Sequence, residues 1–145
     1  MPLLDPDESG RGMTGLSGVR VLVVEDEGLV ALMLEGMLEE LGCRVVASVA
    51  QLSKACELAA AAEIDLALLD VNVAGEMVFP VARILRDRQV PFLFSTGYGT
   101  GGLPTEFADH QVLQKPFVQS ELQEKVALTL LDLLGSSRRP SAAPR

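Results

Sequence analysis

Apolar residues recur along residues 19–135 in two patterns that alternate. Five short runs are continuously apolar or β-branched, as in strands buried on both faces of a parallel sheet, and they cover residues 19–24, 44–49, 66–69, 92–94 and 111–114. Between them, apolar residues recur at the three- to four-residue spacing of helices, which predicts helices at residues 27–41, 51–62, 78–88 and 120–134 and a short one at 103–108. This alternation predicts an α/β fold with helices on both faces of the sheet.

Reactive side chains follow four of the predicted strands. Glu25 and Asp26 follow the first strand, Asp70 the third, Thr96 the fourth and Lys115 the fifth. Because right-handed crossovers bring the carboxyl ends of parallel strands to one edge of the sheet, we expect these side chains to lie close together. The sequence therefore predicts one site with three carboxylates, a hydroxyl and an ammonium group.

Composition indicates one acidic domain with polar ends. Glycine, proline, serine and charge are concentrated in residues 1–18 and 136–145, which are predicted to be flexible tails around a domain at 19–135. That domain carries 17 acidic and 8 basic side chains, so we expect it to repel nucleic acid. No apolar run approaches the roughly 20 residues of a membrane helix, and no signal peptide is recognisable. Cys43 and Cys56 lack metal-ligand spacing and are interpreted as core residues in a reducing compartment. We therefore expect a cytoplasmic protein.

The motifs at the strand ends occur in a fixed order: Glu25-Asp26, Asp70, Thr96 and Lys115-Pro116. This set resembles the receiver domain of two-component response regulators, over residues 19–134. The resemblance implies a flavodoxin-like sheet in the strand order 2-1-3-4-5. It also implies that Asp70 accepts a phosphoryl group from a sensor histidine kinase in a Mg²⁺-dependent reaction. The protein would then be a bacterial signalling phosphoprotein rather than an enzyme.

The resemblance also implies a set of metal ligands. Asp26 and Asp70 would bind Mg²⁺ directly, Glu25 through water and Asn72 through its backbone carbonyl, which are oxygen ligands of the kind that Mg²⁺ prefers. The family usually has Asp where this chain has Glu25. Crowded carboxylates repel one another, so we expect at least one of them to have a raised pKa.

A second group of residues would hold the phosphoryl group. Lys115 would pair with one phosphoryl oxygen, Thr96 would hydrogen-bond another, and a cis Lys115-Pro116 bond would direct the lysine inward. Val112 stands where the family commonly has an aromatic switch residue. Residues 94–99, Phe-Ser-Thr-Gly-Tyr-Gly, are similar to the Phe-Ala-Thr-Gly-x-Tyr signature of a stand-alone subgroup, which makes Tyr98 a candidate switch residue. The glycine-rich segment 97–109 is expected to be mobile.

The last predicted helix bears on the partners. Ser120 is predicted to cap it and Gly135 to end it, and its excess of leucine over residues 120–134 would suit a homodimer. The tail after Gly135 is too short for an output domain. We therefore expect output through a downstream protein or a phosphotransferase.

Two other functions fit parts of the pattern. A phosphatase of the haloacid dehalogenase type also uses an Asp nucleophile and Mg²⁺, but it needs a second Asp where this chain has Asn72. A flavodoxin-like module has a similar strand pattern, but a flavin phosphate bound without metal requires a glycine-rich set of N–H groups rather than carboxylates. Both are kept as alternatives to the response-regulator interpretation.

Overall fold

The computed structural model describes residues 16–97 and 103–138. Within these ranges one parallel sheet contains five strands: β1 (Arg20–Val24), β2 (Arg44–Val49), β3 (Leu66–Asp70), β4 (Phe92–Thr96) and β5 (Val112–Gln114). Their order across the sheet is β2-β1-β3-β4-β5, and each neighbouring pair is parallel. The predicted flavodoxin-like order is therefore confirmed.

Helices cover both faces of this sheet, and they are α1 (Gly28–Glu40), α2 (Leu52–Ala61), α3 (Phe79–Asp87) and α4 (Gln119–Arg138). One core lies between the sheet, α2 and α3, and a second lies between the sheet, α1 and α4. All residues of the central strand β3 are buried, because its side chains alternate between the two cores. In the part of the chain described, no helix is long and apolar enough to cross a membrane.

The packed body begins before the predicted boundary at residue 19. Leu16 is only 1% exposed and belongs to the core under α1 and α4. The Gly18 N–H donates a hydrogen bond to the Gly42 carbonyl at 2.8 Å. A single apolar side chain in a polar segment carries no periodicity, so this packing is visible only in three dimensions.

The last helix differs from its prediction at both ends. Ser120 lies within the first turn, and the Glu121 carboxylate accepts a hydrogen bond from the Val118 N–H at 3.0 Å. This contact satisfies a backbone donor at the helix start without Ser120 as the cap. The helix also continues past Gly135, since glycine weakens a helix interior by about 1 kcal/mol without ending it.

The apolar face of α4 lies mainly against the sheet. Leu122 and Val126 are fully buried. Leu128 and Leu131 are 38% and 61% exposed, so at least these two leucines of the helix face outward. The homodimer through residues 120–134 stays a prediction.

Part of the glycine-rich connector between β4 and β5 is anchored. It forms a 3₁₀ turn at Thr105–Phe107 instead of a longer helix. The Phe107 ring is fully buried and stacks on Phe79 with centroids 5.8 Å apart. Glu106 contacts Arg83 and Arg86 of α3, each at 2.8 Å. The described portion of the segment expected to be mobile is therefore tied to α3 by a ring and two ion pairs.

Candidate functional site

The carboxyl ends of β1 and β3 bring three carboxylates together. Glu25, Asp26 and Asp70 each offer an oxygen within 4.8 Å of the other two. The parallel register pairs Val24 with Leu69, so the residue after each of these lies at the same edge. Glu25 and Asp70 are buried, whereas Asp26 is exposed.

Lys115 reaches this cluster from the end of β5. Its Nζ lies 2.9 Å from Glu25 Oε1, 3.4 Å from Asp70 Oδ2 and 3.7 Å from Glu27 Oε1. The Lys115-Pro116 bond is cis, as the resemblance implied. Only 18% of the lysine side chain is exposed, so one ammonium group faces the carboxylates in a largely enclosed position.

The charge balance of the cluster perturbs the pKa of Asp70. Burial, and then the negative charge of Glu25, raise the pKa of Asp70 to about 7, although the Lys115 charge opposes this. Burial lowers the pKa of Lys115, but its hydrogen bond to Glu25 and the charges of both carboxylates raise it to a net value above the ordinary one. The expectation of a raised carboxyl pKa is thus met, with burial rather than repulsion as the larger cause.

Two further predicted residues, Asn72 and Thr96, line a cleft of about 560 Å³ at this edge. The full lining consists of Asp26, Glu27, Asp70, Val71, Asn72, Met77, Thr96, Gly97, Leu103 and Lys115. Thr96 ends β4 and is 6% exposed. The Asn72 side chain accepts a hydrogen bond from the Gly75 N–H at 2.9 Å, and the Asn72 backbone N–H donates to Asp70 Oδ1 at 3.4 Å. Tyr98, the candidate switch residue, lies outside the described residues.

The donor set fits a hard divalent cation. Carboxylate oxygens, with room for water, are what Mg²⁺ requires, and three carboxylates beside one lysine carry surplus negative charge that a cation would offset. Glu25 uses one oxygen for Lys115 and the other for the Glu27 N–H at 3.1 Å. Both oxygens of Glu25 are therefore already in contact with groups of the protein.

Sequence reasoning missed five residues of the cleft, and two of them, Val71 and Gly97, directly follow predicted site residues. Glu27 could have been found because it follows the acidic pair directly. Met77 and Leu103 had no signal, since both reach the cleft through connections whose shape depends on tertiary contacts. In particular, the residues after Asp70 form a two-residue antiparallel ladder, Asn72–Val73 with Glu76–Met77, in a connection between the strand and the helix predicted at 66–69 and 78–88.

Comparison with known proteins adds independent support for the family. A family model described as the response regulator receiver domain matches residues 21–127. The phyllosphere-induced regulator PhyR of Methylorubrum extorquens is 28% identical over 137 residues, which cover 92% of this chain and 51% of that protein. The chain thus spans about half the length of the curated relative that it matches.

Solved structures agree with this match. The solution structure of SdrG from Sphingomonas melonis Fr1 is similar with a TM-score of 0.68 and 41% identity, over 81% of this chain and 97% of that chain. The crystal structure of the response regulator PhyR from Brucella abortus is similar with a TM-score of 0.74 and 26% identity, over 90% of this chain and 55% of that chain. The family model spans the sheet and the entire acidic cluster, and the chain therefore belongs to the response regulator receiver domain family.

Proposed function

We propose that this receiver domain accepts a phosphoryl group on Asp70 from a phosphohistidine of a sensor histidine kinase. Mg²⁺ would be held by Asp26 and Asp70, with Glu25 contributing through water and Asn72 through its backbone carbonyl. One observation carries the proposal: a buried carboxylate ends the central strand among two further carboxylates, 3.4 Å from the Lys115 ammonium. Family membership favours this role over a dehalogenase-type phosphatase or a flavin-binding module.

The covalent step uses Asp70 as a nucleophile. One carboxylate oxygen attacks the phosphorus, the phosphorus–nitrogen bond breaks, and its electron pair returns to the kinase imidazole, which leaves an acyl phosphate on Asp70. Only the ionised carboxylate can attack, and the adjacent Lys115 favours that form. Mg²⁺, when bound, neutralises charge on the transferring group.

After transfer, two residues of the cleft are placed to hold the new group. Lys115 would pair with one phosphoryl oxygen instead of the free Asp70 carboxylate. The Thr96 hydroxyl would donate a hydrogen bond to another, because Thr96 ends the strand beside β3 and lines the same cleft. Because this contact would form only in the phosphorylated state, it would shift the conformational equilibrium of the connector after β4.

An exposed apolar face beside the cleft supports a protein partner. Leu29, Leu32 and Met33 of α1 are 85%, 65% and 46% exposed, and α1 begins directly after Glu27 of the cleft. Three large apolar side chains on the outer face of one helix suit a partner helix that brings a phosphohistidine to Asp70. Output would follow through a downstream protein or a phosphotransferase.

Intact-mass spectrometry after incubation with acetyl phosphate and Mg²⁺ tests the acceptor. The wild type should gain the mass of one phosphoryl group, and EDTA should prevent the gain. Asp70→Asn should gain nothing. Asp65→Asn is the matched control, since Asp65 lies at the opposite end of β3, paired with Arg20 at 3.0 Å, and should be phosphorylated normally.

A mass gain that persists in Asp70→Asn would refute the assignment of the acceptor. Transfer of labelled phosphate from candidate histidine kinases should show the same dependence on Asp70. A flavin spectrum in the purified protein, or sustained release of phosphate from aryl phosphates, would favour one of the two alternative functions instead.

A further inference from the structure

The residues after Asp70 form a short hairpin whose tip contacts the acidic cluster. In this 72–77 hairpin, Asn72 pairs with Met77 and Val73 pairs with Glu76. The backbone N–H of Ala74, at the tip, donates a hydrogen bond to Asp26 Oδ2 at 3.0 Å. The connection between β3 and α3 thus folds back onto a carboxylate that lies just after β1.

Several contacts hold this tip in place. The Gly75 N–H donates to Asn72 Oδ1 at 2.9 Å, which closes the turn from inside. The Val78 N–H donates to the Val71 carbonyl at 2.9 Å, which closes the base. The Val73 side chain is 1% exposed and packs in the core under α2 and α3. The position of the Ala74 N–H is therefore fixed by the body of the domain.

The backbone at the tip is unusual for its sequence. Ala74 has φ 53° and Gly75 has φ 87°, so both lie in the left-handed region. A two-residue turn of this kind favours Asn-Gly, and alanine at its first position is disfavoured. The Ala74 side chain is exposed, so no packing of its methyl group accounts for the conformation. What the conformation provides is an N–H directed at Asp26.

Such a contact restricts the rotation of the Asp26 side chain. Asp26 is the exposed member of the acidic cluster, and an exposed carboxylate is free to rotate unless a partner holds it. The hydrogen bond engages Oδ2, and Asp26 lines the cleft in which a cation would bind. The hydrogen bond also directs a backbone dipole at a site with excess negative charge.

From these contacts we infer that Ala74 is a positioning residue for the metal site: the 72–77 hairpin holds Asp26 in the orientation that binds Mg²⁺. This inference rests on the proposed function, because it concerns the metal on which phosphorylation would depend. The hairpin would act through the backbone N–H of Ala74, so the side chain at this position does not reveal the role.

Calorimetric titration of the full chain with MgCl₂ tests the inference with two substitutions of similar size. Ala74→Asn suits the left-handed conformation, whereas Ala74→Val opposes it because its β-branched side chain crowds the backbone there. We expect Ala74→Val to weaken Mg²⁺ binding about tenfold, the effect of losing one hydrogen bond to a charged group. Ala74→Asn should bind as tightly as the wild type.

Melting in EDTA separates a structural effect from an effect on the metal. If Ala74→Val lowers the melting temperature in EDTA and leaves the Mg²⁺ affinity unchanged, the hairpin is only structural and the inference is overturned. A wild type that binds no Mg²⁺ would refute the metal site of the proposed function itself, which is a different failure.

A measurement on the wild type decides the matter even if Ala74→Val does not fold. Coupling between sites is reciprocal, so Mg²⁺ should slow hydrogen exchange of the Ala74 amide. Gln89 is the control, since it also has a left-handed backbone, φ 62°, and a hydrogen-bonded amide at 2.9 Å but contributes nothing to the cleft. Equal responses of the two amides would overturn the inference.

Discussion

Asp70 and Glu106 are both carboxylates beside positively charged side chains, yet their pKa values move in opposite directions. Burial and the charge of Glu25 raise the pKa of Asp70 from 3.8 to about 7, although Lys115 is adjacent. Hydrogen bonds from Arg83, and then from Arg86, lower the pKa of Glu106 from 4.5 to about 2. The first carboxylate lies at the edge of the sheet, and the second lies on the connector between β4 and β5.

The difference follows from charge balance and solvent. At the sheet edge, three carboxylates share one lysine in a largely enclosed position. At the connector, one carboxylate lies between two guanidinium groups at the surface. The Glu106 carboxylate is therefore fully paired and needs no further ligand. The edge has surplus negative charge, which destabilises the isolated domain and is relieved when a cation binds.

The largest expected effect concerns the ring beneath Glu106 rather than either carboxylate. Phe107→Ala should lower the free energy of unfolding by about 3–5 kcal/mol, because it removes a fully buried ring from the aromatic cluster of Phe79, Phe92 and Phe94. Urea unfolding would measure this. Leu131→Ala, at a side chain 61% exposed, is the control and should cost far less. Similar losses in the two variants would show that the connector is not anchored by Phe107.

The second-largest expected effect concerns Asp70 at the sheet edge, where a neutral side chain removes the contrast with Glu106. Because the folded-state pKa of Asp70 is raised, its contribution to stability is fully present below about pH 4 and is lost as pH rises toward about 7. Asp70→Asn stays neutral, so it should be more stable than the metal-free wild type near pH 8, by on the order of 2 kcal/mol. The two proteins should be nearly equal near pH 4.

Thermal melting in EDTA across this pH range measures the difference. Millimolar Mg²⁺ should then stabilise the wild type near pH 8 and narrow the gap to Asp70→Asn, since the metal binds only the assembled carboxylates. If Asp70→Asn is instead less stable than the metal-free wild type at pH 8, the carboxylates are not in surplus at this edge.

The smallest expected effect concerns Glu106 on the connector between β4 and β5. Because the folded-state pKa of Glu106 is lowered, its contribution is present above its ordinary value of 4.5 and is lost as pH falls toward about 2. Glu106→Gln should therefore be slightly less stable than the wild type at pH 7, and the difference should shrink in acid. Since the ion pairs are exposed, high salt should reduce the difference as well. Chemical unfolding at two salt concentrations would show this, and a difference that grows in acid would contradict the assignment.

The sequence by itself determined the alternation of parallel strands with helices and the gathering of Glu25, Asp26, Asp70 and Lys115 at one edge. Both follow from local patterns, because β-branched runs report buried parallel strands. Right-handed crossovers then place the carboxyl ends of all such strands on the same side. A reader of the sequence needs no distance to expect the acidic cluster.

Only the tertiary structure decided how these groups are tuned. The burial that raises the pKa of Asp70 comes from neighbours far along the chain, and the contact of Ala74 with Asp26 joins residues 48 positions apart. Ala-Gly lacks the strong turn signal of Asn-Gly, and one phenylalanine in a glycine-rich connector has no periodicity to mark Phe107 as buried. The periodicity of apolar residues indicates which face of each helix or strand is buried. Which distant group closes over a charged side chain depends on packing between segments, and that information is not local.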